Sequence, residues 1–200
     1  EQADRAVQGV DLVLSSMAEF VTAEAADSAV EFPHKMASEQ VYRMLRDKLV
    51  GLPYINAVTM IDSSGDLINF SRYWPIPKVN VADRDYFRAL SAEPSPQRFI
   101  SVPVQNRGDS IWTVYLARRA PSRDGHFTGL LLGAIELRYF EDFYRSVSLG
   151  ADGAISLMRQ DGVQLVRYPH AGAIGRWFPD GGPRALHGGS AGVIRDISPV

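Results

Sequence analysis

Cysteine is absent from the chain, so disulfides, thiolate metal sites and thiol nucleophiles are excluded at the outset. Histidine is scarce: His34, His126, His170 and His187 stand far apart, without the close spacing that seats a metal on one helix face. Asp124-Gly125 and Asp161-Gly162 are turn dipeptides, and nothing around them completes a calcium loop. Long hydrophobic runs are missing as well. The longest nearly uncharged stretch, Gly129 to Ile135, falls far short of the roughly 20 residues that span a bilayer. Nor is there an excess of positive charge, since 21 Lys and Arg against 23 Asp and Glu leave −2 and a pI near 6.1. Nucleic-acid-binding domains usually lie above a pI of about 9, so no nucleic-acid partner is expected. Phosphate-binding and dinucleotide fingerprints are lacking, and no cofactor or metal is expected. The chain starts at Glu1 without an initiator Met or a signal peptide, which suggests a piece of a longer protein.

What the chain does have is an ordinary folded composition: 46% hydrophobic and 22% charged residues over 200 positions. That is enough apolar surface for one medium domain or two small ones, and too much for disorder. Two motifs suggest chemistry and fail on context. Gly188-Gly-Ser190-Ala-Gly192, preceded by His187, matches the serine-hydrolase elbow, but no histidine follows it. A Gly-rich turn before a strand Val193–Ile197 is the better reading. Asn69-Phe-Ser71 fits a glycosylation sequon but falls within an expected strand. No catalytic constellation survives, and an enzyme is not expected.

Periodicity gives the organisation. Val7, Val10, Leu14, Met17 and Val21 recur at alternating steps of three and four, one apolar stripe along a helix. The stripe can pack on its own domain or form a dimer seam. A second helix is expected from Ser38 to Leu52, with Val41, Leu45, Leu49 and Leu52 on one side. Tyr54–Asp62 and Leu67–Arg72, joined by Ser-Ser-Gly-Asp, read as a hairpin. Both parities of its first strand are apolar, so that strand is covered on two faces and lies inside a sheet. Pro75 and Pro77 then force an extended loop. Asp83–Ala92 reads as a short helix with Asp83 as N-cap, followed by strands Phe99–Val104, Ser110–Arg119 and Gly125–Leu137 and a helix Tyr139–Leu149. This order fits an α+β module with a five-stranded antiparallel sheet.

Ala154–Leu165 lies over Ala57–Ile68 at a constant offset of 97 residues, with Gly162 on Gly65. Read as duplication, this starts a second, incomplete module near Gly150. Between residues 72 and 88, aromatic and cationic side chains gather: Arg72, Tyr73 and Trp74 at a strand end, Arg84, Tyr86, Phe87 and Arg88 in the short helix. Two readings stay open here. A pocket with aromatic walls would place a guanidinium where it can bind a carboxylate through two bonds. A lid would only finish the core, with Arg84 paired to Asp83 or Asp85.

The runs VTMIDSSGDLINFS, VADRDYFRAL, ISVPV, a long strand ending LARR, GHFTGLLLGAIELRYFEDFY and GADGAISLMRQDG together resemble a double Cache sensor domain, also called PDC or PAS-like. The similarity extends over about residues 1–170, in the family's order. It implies a fold of class α+β: a long N-terminal helix, then tandem PAS-like modules with antiparallel sheets, the second incomplete. The corresponding divisions are 1–52 for the helical stalk and second helix, 53–149 for a membrane-distal ligand-binding module, and 150–200 for a truncated membrane-proximal module. It further implies a periplasmic location, flanking transmembrane helices, a homodimeric receptor, and a cytoplasmic histidine kinase, diguanylate cyclase or chemoreceptor body.

In this family the ligand sits in the distal module behind the loop and short helix. The amino-acid-binding subset grips the ligand carboxylate with Arg-x-Trp-Tyr, where this chain has Arg84-Asp85-Tyr86-Phe87. The acids that hold the ligand amine are poorly matched. Pro103-Val104-Gln105-Asn106 has neither the tyrosine nor the acid, and Ala134 stands near the expected aspartate, with Glu136 two residues on. The candidate ligand-binding set is therefore Arg84, Tyr86, Phe87, Tyr73, Trp74, Tyr115, Arg118 and Glu136, and the expected ligand is a small organic molecule, a carboxylate before an amine. The alternative is a structural or protein-interaction module without a ligand. An enclosed cavity beside Arg84 favours the sensor; a filled pocket with Arg84 ion-paired favours the alternative.

Overall fold

A computed structural model describes residues 2–107, 110–147, 153–169 and 174–178. Helix α1 (Gln2–Ala23) carries the apolar stripe, and Val10, Leu14, Met17 and Val21 are fully buried. They pack on the central sheet of the same chain. The stripe is thus intramolecular core, and the reading of it as a dimer seam is corrected. The reason is visible at Gly133, where a Cβ would stand 2.2 Å from Val10 Cγ1, so the helix lies directly on the strand backbone. No helix among the described residues is long and apolar enough to cross a membrane.

Two short helices follow, α2 (Glu31–Met36) and α3 (Glu39–Asp47). The first has no periodic stripe in the sequence. The second starts as expected, with Ser38 Oγ accepting the Val41 N–H, but ends five residues early in turns around Gly51.

The sheet comprises β1 (Ala57–Asp62), β2 (Leu67–Phe70), β3 (Arg98–Ile100), β4 (Val104–Gln105), β5 (Trp112–Arg119) and β6 (Gly129–Glu136). Its order is β2-β1-β6-β5-β3, with β4 also on β5, and every pairing is antiparallel. The expected five strands become six because Phe99–Val104 splits at Ser101, whose Oγ accepts the Tyr115 N–H. The expected strand Gly125–Leu137 begins only at Gly129, the preceding residues forming a turn held by Asp124. Strand β1 lies between β2 and β6 as its two apolar parities require. Val58 and Met60 face the core under α1, while Ile61 faces a second cluster with Tyr86, Phe87 and Leu90 of α4 (Asp85–Ser91). Helix α4 starts at Asp85 after Arg84, so Asp83 is not its cap; the Asp83 carboxylate is engaged by Arg107 at 2.6 Å instead.

After α5 (Leu137–Ser146) comes the second hairpin, β7 (Ile155–Met158) and β8 (Gln164–Tyr168). The repeat holds bond by bond at the same offset. Asp62 N–H donates to Asp66 O at 2.9 Å, and Arg159 N–H to Val163 O at 2.8 Å. Leu67 N–H to Val79 O recurs as Gln164 N–H to Arg176 O, and Val81 N–H to Gly65 O recurs as Phe178 N–H to Gly162 O. Each hairpin has a register shift at the matching step, Met60/Ile61 and Leu157/Met158. Gly65 and Gly162 share a left-handed φ of 87° and 89°, which L-residues with a Cβ adopt at a cost. The duplication therefore reaches residue 178, beyond the segment in which the side chains are alike. The expected strand Val193–Ile197 and the Gly-Gly-Ser turn before it lie outside the described residues.

Candidate ligand-binding site

Alternation decides which side chains reach the site. On β1, β5 and β6 the residues Val58, Val114, Leu116 and Leu131 face α1, so Ala57, Thr59, Ile61, Tyr115, Leu132 and Ala134 face the other way. Above that second face the chain from Arg72 to Val81 and the start of α4 border a partly open cavity of about 110 Å³. Leu67, Phe70 and Val79 complete its apolar wall, and Tyr73, Tyr86 and Tyr115 its aromatic wall. Tyr86 is 2% exposed and its ring stands 5.4 Å from that of Tyr115. Burial pushes the Tyr86 phenol up, so it is neutral at physiological pH.

Three arginines, Arg72, Arg84 and Arg107, are among the residues that line the cavity. Arg84 Nη2 donates to Gln105 O at 3.3 Å. No ion pair among the described residues joins it to Asp83 or Asp85, against the lid reading. Asp83 takes Arg107; desolvation acts to raise its pKa, but the Arg107 bond and charge outweigh it and hold the carboxyl below its ordinary 3.8. Asp85 accepts the Tyr86 and Val102 N–H groups, both at 2.8 Å, which ties α4 to the β3–β4 connection.

Four of the eight expected site residues line this cavity: Arg84, Tyr86, Tyr73 and Tyr115. The other four lie elsewhere, each for a local reason. Phe87 turns from the cavity into the α4 core, edge-on to Phe127 at 5.5 Å. Trp74 stacks outward on Tyr42 of α3. Arg118 has the parity of the α1 face, bonds Ser15 Oγ at 2.9 Å, and lines a separate cleft with Asp11, Arg98 and Arg119. Glu136 has the correct parity but sits at the strand end, where the Asn56 amide and Arg138 take its carboxylate. Arg107, Asn106 and Thr59 are cavity residues not singled out from sequence. Thr59 could have been found from the odd parity of β1; a charged residue in a turn, like Arg107, leaves no periodic trace.

The fold that carries this cavity is shared with receptor sensor domains. The profile for histidine kinase sensor domains of the dCache type matches residues 137–192. The extracellular domain of rpHK1S-Z16, a protein assigned as a histidine kinase, superimposes with a TM-score of 0.73 at 31% identity over 88% of this chain and 68% of that one. The chain belongs to the double Cache family of receptor sensor domains. The ligand-binding domain of the Pseudomonas aeruginosa PAO1 amino acid chemoreceptor PctB, in complex with L-Arg, shares the fold with a TM-score of 0.55 at 16% identity, over 90% of this chain and 76% of that one. The ligand-binding domain of the Pseudomonas fluorescens chemoreceptor CtaA with L-valine gives 0.52 at 16% identity, over 82% and 71%. No curated protein sequence matches the chain.

Proposed function

We propose that this chain is the periplasmic ligand-sensing part of a transmembrane receptor and binds a small carboxylate in the cavity of its first module. The observation that carries this is the partly open cavity over β1, β6 and α4, lined by tyrosine rings and by Arg84, which among the described residues forms no ion pair with a carboxylate. A guanidinium there gives a ligand carboxylate charge-assisted, two-bond recognition that a lysine would not match. The reading divides the chain into a helical stalk (1–52), a ligand-binding distal module (53–149) and a membrane-proximal module (150–200). In the whole receptor these join transmembrane helices and a cytoplasmic output domain, and two copies pair. Signalling then consists of ligand shifting a two-state equilibrium through its differential affinity.

A thermal-shift screen against small organic acids, amino acids and amines tests the reading. Ligand at about 100 times its Kd adds roughly 2.7 kcal/mol, and at about 2–4 °C per kcal/mol the Tm rises by roughly 5–11 °C. A screen in which no carboxylate shifts the Tm overturns the proposal and leaves the interaction module standing.

A further inference from the structure

We infer that Thr59 reads a second oxygen on the ligand, so that the cavity prefers a carboxylate bearing a hydroxyl or carbonyl group to the unsubstituted acid. This rests on the cavity being a carboxylate site, and adds what else the ligand must present. The chain has four threonines. The hydroxyls of Thr22, Thr113 and Thr128 each donate to a backbone carbonyl, those of Ala18, Ile111 and His126. Thr59 differs. Its Oγ1 has no hydrogen-bond partner among the described residues, although the residue is only 8% exposed. Nor is Oγ1 sealed inside the protein, where an unpaired hydroxyl is costly. What remains open of Thr59 faces the cavity that it lines. Buried hydroxyls are nearly always paired, so one open only to a cavity marks the place of a ligand's polar atom.

The nearest side chains on that face of the sheet are apolar. Ala57 and Ile61 flank Thr59 along β1, and Phe70 of β2 and Leu132 of β6 stand opposite it in register. For packing alone a valine would serve, and valine suits a central strand at least as well. Tyr86 borders the same cavity from α4, and its phenol also makes no hydrogen bond among the described residues. Both hydroxyls can donate, and a ligand oxygen can accept from either. An ammonium has donors only and leaves both of these protons unmet. Arg84 comes from just before α4 and Thr59 from the sheet, so carboxylate and second oxygen are met by different elements.

Isothermal titration of the 200-residue chain with butyrate, 2-hydroxybutyrate, 3-hydroxybutyrate, 2-oxobutyrate and 2-aminobutyrate keeps one carbon skeleton and varies only the substituent. At least one oxygen-substituted acid is expected to bind about 2- to 12-fold tighter than butyrate and than 2-aminobutyrate, the range of one neutral hydrogen bond. Thr59→Val is expected to erase that preference while leaving butyrate affinity unchanged, and Thr59→Ser to keep it. The unliganded Tm of Thr59→Val should not fall, because no bond within the protein is lost. Four results overturn the inference and leave a carboxylate sensor: no oxygen-substituted acid binding tighter than butyrate, 2-aminobutyrate binding tightest, Thr59→Val weakening butyrate by the same factor, or its unliganded Tm falling. If none of these acids binds, the inference falls; if the wider screen of acids shifts no Tm either, the proposed function falls with it.

Discussion

Arg159 of the second hairpin stands with Nη1 3.7 Å from Asp85 Oδ2, at the first residue of the helix that closes the cavity. The same nitrogen donates to Ile100 O at 2.6 Å, and the guanidinium lies 5.5 Å over the Phe99 ring. Asp161 grips the other side at 2.8 and 2.6 Å and, chiefly through these bonds, raises the arginine pKa further. Arg159 occupies the repeat position of Asp62, so a turn residue of one module has become the connection to the other. The contact links the site wall directly to the second module.

Replacing Arg159 with Ala should therefore destabilise more than an ordinary surface change. A charged donor on a partly buried carbonyl contributes about 1.5–3 kcal/mol, which predicts a Tm loss of roughly 3–12 °C. Arg159→Lys should recover only part, because a point charge cannot serve Ile100, Asp85 and Asp161 at once. Calorimetry on both variants is the check; a Tm within a degree of the parent would show the contact to be incidental.

At the cavity, Arg84→Ala is expected to weaken the best-binding acid by about 10- to 150-fold, the equivalent of about 1.5–3 kcal/mol. The helix itself should persist, since Arg84 makes no side-chain cap bond there. An unchanged Kd in titration calorimetry would make the arginine structural.

Most of the fold was legible because it rests on repeats and periods. The α1 stripe, the two parities of β1 and the Gly65/Gly162 turns all leave regular marks in the sequence. The cavity lining was legible only where one of these marks coincided with it, as for Arg84 and Tyr86 at the start of α4 and Tyr115 on β5. Phe87 and Trp74 were misplaced because adjacent aromatics on a helix and a loop point to different sides, and composition does not say which. Arg118 went wrong by parity, one residue out of step with the cavity-facing Ala117 row. The splitting of β3 from β4 depends on Ser101 reaching across to Tyr115, a contact that pattern alone does not show.

The ion pairs set the acid limit of the fold. Asp161, through its bonds from Arg159, and Asp27, through its bond from Arg123, are both held below the ordinary 3.8. A depressed carboxyl binds fewer protons folded than unfolded, so its contribution is complete above about 3.8 and is lost as pH falls toward its folded value. Stability should stay level from neutral pH to about 5 and fall below about 4, and Arg159→Ala should flatten part of that fall. Melting curves across this range test it; equal acid sensitivity of parent and variant would show that Asp161 titrates without its arginine.

The packing of α1 on the sheet gives the last test. At Gly133 an added Cβ would meet Val10 Cγ1 at 2.2 Å, while Val10 Cβ, at 3.6 Å, is in ordinary contact. Gly133→Ala should cost about 1–3 kcal/mol by overpacking, and Val10→Ala should cost a comparable amount through lost burial. In the double variant the offending methyl is gone and the new one partly fills its place. The combined loss should then be smaller than the sum by about 1 kcal/mol or more, which is the mark of residues in contact. Unfolding of all three variants should not depend on protein concentration, because the stripe is buried within one chain; a dimer seam would make it depend. Additive losses, or a Tm that rises with concentration, would place Val10 against something other than Gly133.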